Sequence, residues 1–191
     1  ALLRFALSRQ YRSVRFVLRE SHLRRSGGRR QRTDASGRFI PPFWVLPDIL
    51  EFGDMLRDSG RSCTCEVVAV STGAPGPLGE RLQQQVGERM HVTPRVVSGI
   101  DRLESRDKRV LTISRTDELA AEVLRCRAAE GGLVSLDNNP AFYHLGLSRC
   151  EIDWYGLGYQ MAYAVTGMGN VPVAQRGFLR ARAEVIEKRT T

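Results

Sequence analysis

Lysine is nearly absent from this chain. Of 29 Lys+Arg in 191 residues, only Lys108 and Lys188 are lysines. Cationic chemistry therefore falls to guanidinium, a planar fork that meets phosphate and carboxylate in a way a point-like ammonium does not. A GC-rich coding sequence accounts for the same bias. Glycine fingerprints are missing too. Gly156 and Gly158, then Gly167 and Gly169, lack the G-x-G-x-x-G spacing of a dinucleotide site. Gly73, Gly76 and Gly79 precede a helical pattern, where backbone N–H groups meet a phosphate. The Lys-Ser/Thr of a P-loop is absent there, and Pro75 and Pro77 remove donors, so the stretch reads as a turn. Cysteine is sparse: Cys63, Cys65, Cys126 and Cys150, with His22, His91 and His144, show none of the paired spacing of a zinc centre. Cys63 and Cys65 share one face of a strand and read as core. Cys150 and His144 have no third residue to orient the imidazole, so a cysteine nucleophile is not expected. Glu151 and Asp153 are isolated carboxylates.

Long apolar runs are also scarce. The start has no compact apolar core followed by a small-residue cleavage site, so a secretory signal is not expected and the thiols are read as reduced. One run, 154–175, is uncharged and long enough to cross a bilayer. Gln160, Thr166, Asn170, Pro172 and four glycines weaken that reading and favour close packing against a neighbour. These absences leave no expected catalytic residue, metal or cofactor.

What is present is an asymmetry of charge. Residues 1–38 hold eleven arginines against Glu20 and Asp34, which is +9 of the net +8. The other 153 residues carry 18 Lys+Arg against 19 Asp+Glu, or −1. At 100° per residue, Arg4, Arg12, Arg15 and Arg19 fall on one face of 2–19, with Leu2, Leu3, Ala6, Leu7, Val14, Phe16 and Val17 mostly opposite. An amphipathic, Arg-rich segment poor in acids has the composition of a mitochondrial import signal. The reading adopted is an arm that is retained and held by something negative or apolar. Such an arm neutralises phosphate, with Arg4, Arg9, Arg12, Arg15, Arg19, Arg24, Arg25, Arg29, Arg30 and Arg32 as the expected RNA-binding residues.

The expected division is a basic arm over 1–40, an α/β core over 41–115 and a C-terminal α/β extension over 116–191. Pro41-Pro42 marks the boundary. Phe43 to Leu46 reads as a short strand or buried plug. Pro47 opens a helix with Ile49, Phe52 and Leu56 inward and Gly60 beyond its end. A strand follows over 63–70, then a helix over 78–90. Two strands, 95–100 and 109–114, are expected to form a hairpin about the polar 104–108. Thr116 caps a further helix that Gly131-Gly132 ends. A short strand over 133–136, a turn at Asn138-Asn139-Pro140 and a last strand or exposed helix over 178–186 complete the α/β reading.

The residues that carry a resemblance are the helix 49–57, the strand 65–70, the helix 78–90, the strand 95–100 and the run 103–113. In element order and hydrophobic pattern they resemble the C-terminal domain of bacterial translation initiation factor 3 and the related Alba and YhbY-type domains. That resemblance implies a β-α-β-α-β-β sandwich compatible with RNA or ribosome binding. It covers about a third of the chain, and initiation activity is not carried over with it. The arm and body together resemble a subunit of a protist mitochondrial ribosome. The expected function is a non-enzymatic, RNA-contacting structural subunit in the mitochondrial matrix, with ribosomal RNA and neighbouring ribosomal proteins as partners, and with no small-molecule substrate and no membrane contact expected. The alternative is an accessory subunit of a respiratory complex or ATP synthase.

Overall fold

The computed structural model describes residues 1–23, 46–71, 73, 76–87, 91–103, 107–137, 139–152 and 183–187. Its centre is built by the segment expected to be an arm. Helix α1 (Leu2–Ser8) stops where Gln10 takes a left-handed conformation, φ 57°. Strand β1 (Ser13–Arg19), followed by the short helix α2 (Glu20–Leu23), runs between β2 (Thr64–Val70) and β4 (Val110–Ser114), parallel to both. Beyond β2 lies β3 (Val92–Val97). Beyond β4 lie β5 (Gly132–Ser135), β6 (Ser148–Ile152) and β7 (Ala183–Ile186). The order across the seven strands is β3-β2-β1-β4-β5-β6-β7. Among the described strands only β7 is antiparallel to its neighbour.

Apolar residues cover both faces of this sheet. Val14, Phe16 and Leu18 of β1 join one core with Ala6 of α1, Ile49, Phe52 and Leu56 of α3 (Leu46–Asp58), and Leu78 and Leu82 of α4 (Gly76–Val86). Val17 points the other way. It joins Leu119 and Val123 of α5 (Asp117–Arg125) and Ile100 of the 3-10 turn Ile100–Arg102. A parallel strand covered on both faces reads as a near-continuous apolar run, and Ser13–Arg19 is one. The helical reading of 2–19 therefore holds only for its first half. Residues four apart share a face in a strand as well as in a helix, so Arg15 and Arg19 line up under either period. The sheet uses them on the face of Val17.

Two further expectations are corrected. The boundary at 40/41 does not separate arm from body, because the central strand precedes it. The runs around 95–100 and 109–114 form no hairpin: β3 pairs with β2, and β4 pairs with β1, three strands away from β3 in the sheet. The β-α-β-α-β-β order is thus replaced by a larger mixed sheet, and the α/β class stands. The helix at Pro47, the strand to Val70, the Thr116 cap and the strand at Val134 lie where the pattern placed them. Gly131 has a different task from the expected helix stop, since α5 already ends at Arg125. A Cβ on Gly131 would stand 2.1 Å from the Val110 carbonyl oxygen, so this glycine lets two backbones meet. Phe43 to Val45 and the run 154–175 lie outside the described residues, and Leu46 opens α3.

Candidate functional site: the carboxyl edge of the sheet

The first six strands follow the order of the doubly wound α/β sheets, in which ligands lie outside the carboxyl ends of the strands where the order reverses. Here that place is between β1 and β4. The sequence puts polar residues at this edge. Glu20 follows β1, Ser71 follows β2, Ser114 closes β4 and Ser135 closes β5. Asp117 opens α5 just beyond β4, and Arg149 of β6 stands in register with Ser135. All six are buried, and the two other buried polar residues among those described, Arg15 and Thr112, are register partners in mid-sheet. A burial cost that could have been spread over the fold is concentrated at one edge.

Bonds tie these groups to the strand ends. Ser71 Oγ donates to Glu20 Oε2 at 2.9 Å, and the Gly73 N–H donates to Ser71 Oγ at 3.2 Å. Ser114 Oγ donates to the Thr116 carbonyl at 2.8 Å, while Thr116 Oγ1 caps α5 by accepting from the Leu119 N–H. Asp117 Oδ2 accepts from the Asn139 N–H at 2.8 Å. Beside β1, His22 Nδ1 accepts from the Arg19 N–H at 3.2 Å, which leaves any ring proton on Nε2. Burial, then Arg115 and Arg19, hold the His22 pKa below its ordinary value, with Glu118 opposing. Among the described residues the charged groups near this edge are Glu20, Asp117, Glu118, Glu122 and Asp137 beside Arg19, Arg115 and Arg149, with Arg19 and Glu122 paired.

Five of the ten expected RNA-binding residues are described, in unlike settings. Arg4 and Arg12 are exposed. Arg9 is exposed and paired with Glu187. Arg15 is buried, paired with Glu66, and donates to the Leu103 carbonyl at 3.0 Å. Arg19 is paired with Glu122. Arg24, Arg25, Arg29, Arg30 and Arg32 lie outside the described residues. Cys65 is core, its thiol pushed up to about 12 by burial first. Cys150 is buried as well, whereas Cys126 is exposed. Among the described residues no group of three His, Cys, Asp or Glu is placed to hold a metal, and no helix is long and apolar enough to cross a membrane.

Sequence reasoning passed over Glu20, Ser71, Ser114, Asp117, Ser135 and Arg149. A signal was there: the runs ending Val70, Ile113 and Val134 are each followed at once by serine. The fold defines a mixed α/β protein with a polar carboxyl edge. Comparison with protein-family models, with curated proteins and with solved structures finds no match.

Proposed function

We propose that this chain is a small-molecule-binding α/β domain whose site is the carboxyl edge of the sheet. The observation that carries this reading is the gathering at that edge of six of the eight buried polar residues found among the described residues. The carboxylates and hydroxyls at this edge suit a ligand rich in hydroxyls, such as a nucleoside or a sugar. A dinucleotide fits less well. After β1 stands Glu20-Ser21-His22 in place of glycines, so a pyrophosphate meets a carboxylate and finds no close backbone. Strand order alone assigns no function, and the side chains at the edge bear the argument.

Thermal unfolding with millimolar nucleosides and free sugars tests the proposal. A ligand at a hundred times its Kd adds about 2.7 kcal/mol of stability, which for a domain of this size is a rise in Tm of roughly 5–10 °C. Glu20→Gln is expected to reduce that rise. If no compound moves Tm while a short RNA does, the small-molecule reading falls.

A second reading keeps RNA as the partner, now on the opposite edge. Arg12 precedes β1, Arg61 precedes β2, and Lys108 and Arg109 precede β4; all four are exposed. None has a carboxylate partner among the described residues. On this reading the chain is the RNA-contacting ribosomal subunit of the mitochondrial matrix expected above.

A further inference from the structure

At the far side of the carboxyl edge, three buried polar atoms have no hydrogen-bond partner among the described residues: Asp117 Oδ1, Arg149 Nε and Arg149 Nη2. Asp117 is fully buried and the Arg149 side chain is 10 % exposed. Arg149 Nε stands 3.9 Å from Asp117 Oδ1, which is too far for a hydrogen bond. Each group is nevertheless fixed from behind. The Asn139 N–H holds the other oxygen of Asp117. The guanidinium carbon of Arg149 lies 4.1 Å from the centre of the Tyr143 ring, so one flat face is covered, while Nε and Nη2 on its edge have no hydrogen-bond partner among the described residues. A buried ion pair left half satisfied is destabilising unless something completes it.

We infer that Asp117 and Arg149 form a subsite for a vicinal diol, the paired hydroxyls of a ribose or another sugar ring. The chemistry of the vacant atoms selects this class. Asp117 Oδ1 only accepts, so its partner must donate. Arg149 Nε and Nη2 only donate, in the parallel fork that matches two neighbouring oxygens. A carboxylate or phosphate satisfies the fork and repels Asp117. An ammonium satisfies Asp117 and repels the fork. Two adjacent hydroxyls serve both, one giving its proton to Oδ1 while both oxygens accept from the fork. Tyr143, about half exposed, is the member of the group that reaches solvent. This subsite rests on the proposed small-molecule reading and names the ligand group that reading leaves open.

The test uses the full chain, two probes that differ only in the diol, adenosine and 2′,3′-dideoxyadenosine, and free ribose as a third ligand. Binding is followed by calorimetry. The dideoxy compound is expected to bind about tenfold more weakly or worse, the loss that follows from leaving buried charged groups without partners. Arg149→Lys keeps the charge and removes the fork, and is expected to abolish the preference between the probes. Circular dichroism checks that the variant folds. Should it not, Tyr143→Leu replaces a half-exposed ring and is expected to narrow the preference by freeing the guanidinium. Equal affinity for both probes, or an unchanged preference in Arg149→Lys, means a direct ion pair only and overturns the subsite while the small-molecule reading stands. Absence of binding by adenosine and by free ribose overturns both.

Discussion

His22 shows how one side chain reports on its surroundings. Burial, Arg115 and Arg19 all disfavour its imidazolium, so its folded pKa lies below the unfolded value of about 6.5. In the window between the two values the unfolded chain binds the extra proton, and stability rises with pH. The penalty is absent above the unfolded pKa. It grows as pH falls through about 6.5 and is complete below the folded value. His22→Asn is therefore expected to flatten the dependence of Tm on pH between about 5 and 7, with little change at pH 8. Identical profiles for the two proteins would show that this imidazole is not so placed. The cysteines make a second prediction at this scale. Cys126 is exposed, while Cys65 and Cys150 are buried with their thiols shifted upward by burial first. A thiol reagent near neutral pH should label Cys126 in the native protein and reach Cys65 and Cys150 only after denaturant is added.

The element that decides between an arm and a fold is β1. An arm is dispensable, whereas a central strand is not. Removing residues 1–19 takes away the partner of both β2 and β4 and uncovers their edges. The truncated chain is expected to lose its cooperative thermal transition, and a chain that still melts sharply would return β1 to the status of an appendage. A milder probe is Phe16→Ala. Phe16 is buried edge-on against Phe52, with ring centroids 5.2 Å apart, and losing it should cost about 3–5 kcal/mol in denaturant unfolding. Much of this fold was legible beforehand. Thr116 with Asp117 and Glu118 announces the start of α5, and the valine-rich stretch to Val70 announces β2. What misled was a coincidence of periods. Ser13–Arg19 carries charges at Arg15 and Arg19 in a run that satisfies both helix and strand, and only long-range pairing resolves which forms. The same long-range pairing hid the site. Glu20, Ser71, Asp117 and Arg149 are scattered over 130 residues, and they share an edge only once the strand order is known.

As a whole molecule the domain has two unlike ends. The carboxyl edge carries buried acceptors, while the amino edge carries Arg12, Arg61, Lys108 and Arg109 on the surface. Those four belong to three adjacent strands, since β2, β1 and β4 lie side by side. The Arg12 N–H donates to the Arg109 carbonyl at 2.8 Å and the Thr64 N–H to the Arg12 carbonyl at 3.0 Å, so the backbone behind the patch is fixed. Fixed cations in a row attract a polyphosphate backbone by releasing its counterions, and each neutralised phosphate adds to the salt dependence. Binding of a single-stranded RNA oligomer should therefore weaken linearly in log–log form as salt rises. Replacing all four residues by serine should reduce that slope by roughly 3, at about 0.7 per contact on a single strand. Circular dichroism should stay unchanged, because the four side chains are exposed. Nucleoside binding at the carboxyl edge should be untouched by the same variant, since the four residues precede their strands, whereas Glu20, Ser71, Ser114 and Ser135 follow or close theirs. A variant that kept the full slope would leave the basic run 24–38 as the place to seek any RNA contact. One that lost nucleoside binding as well would show the two edges to be coupled.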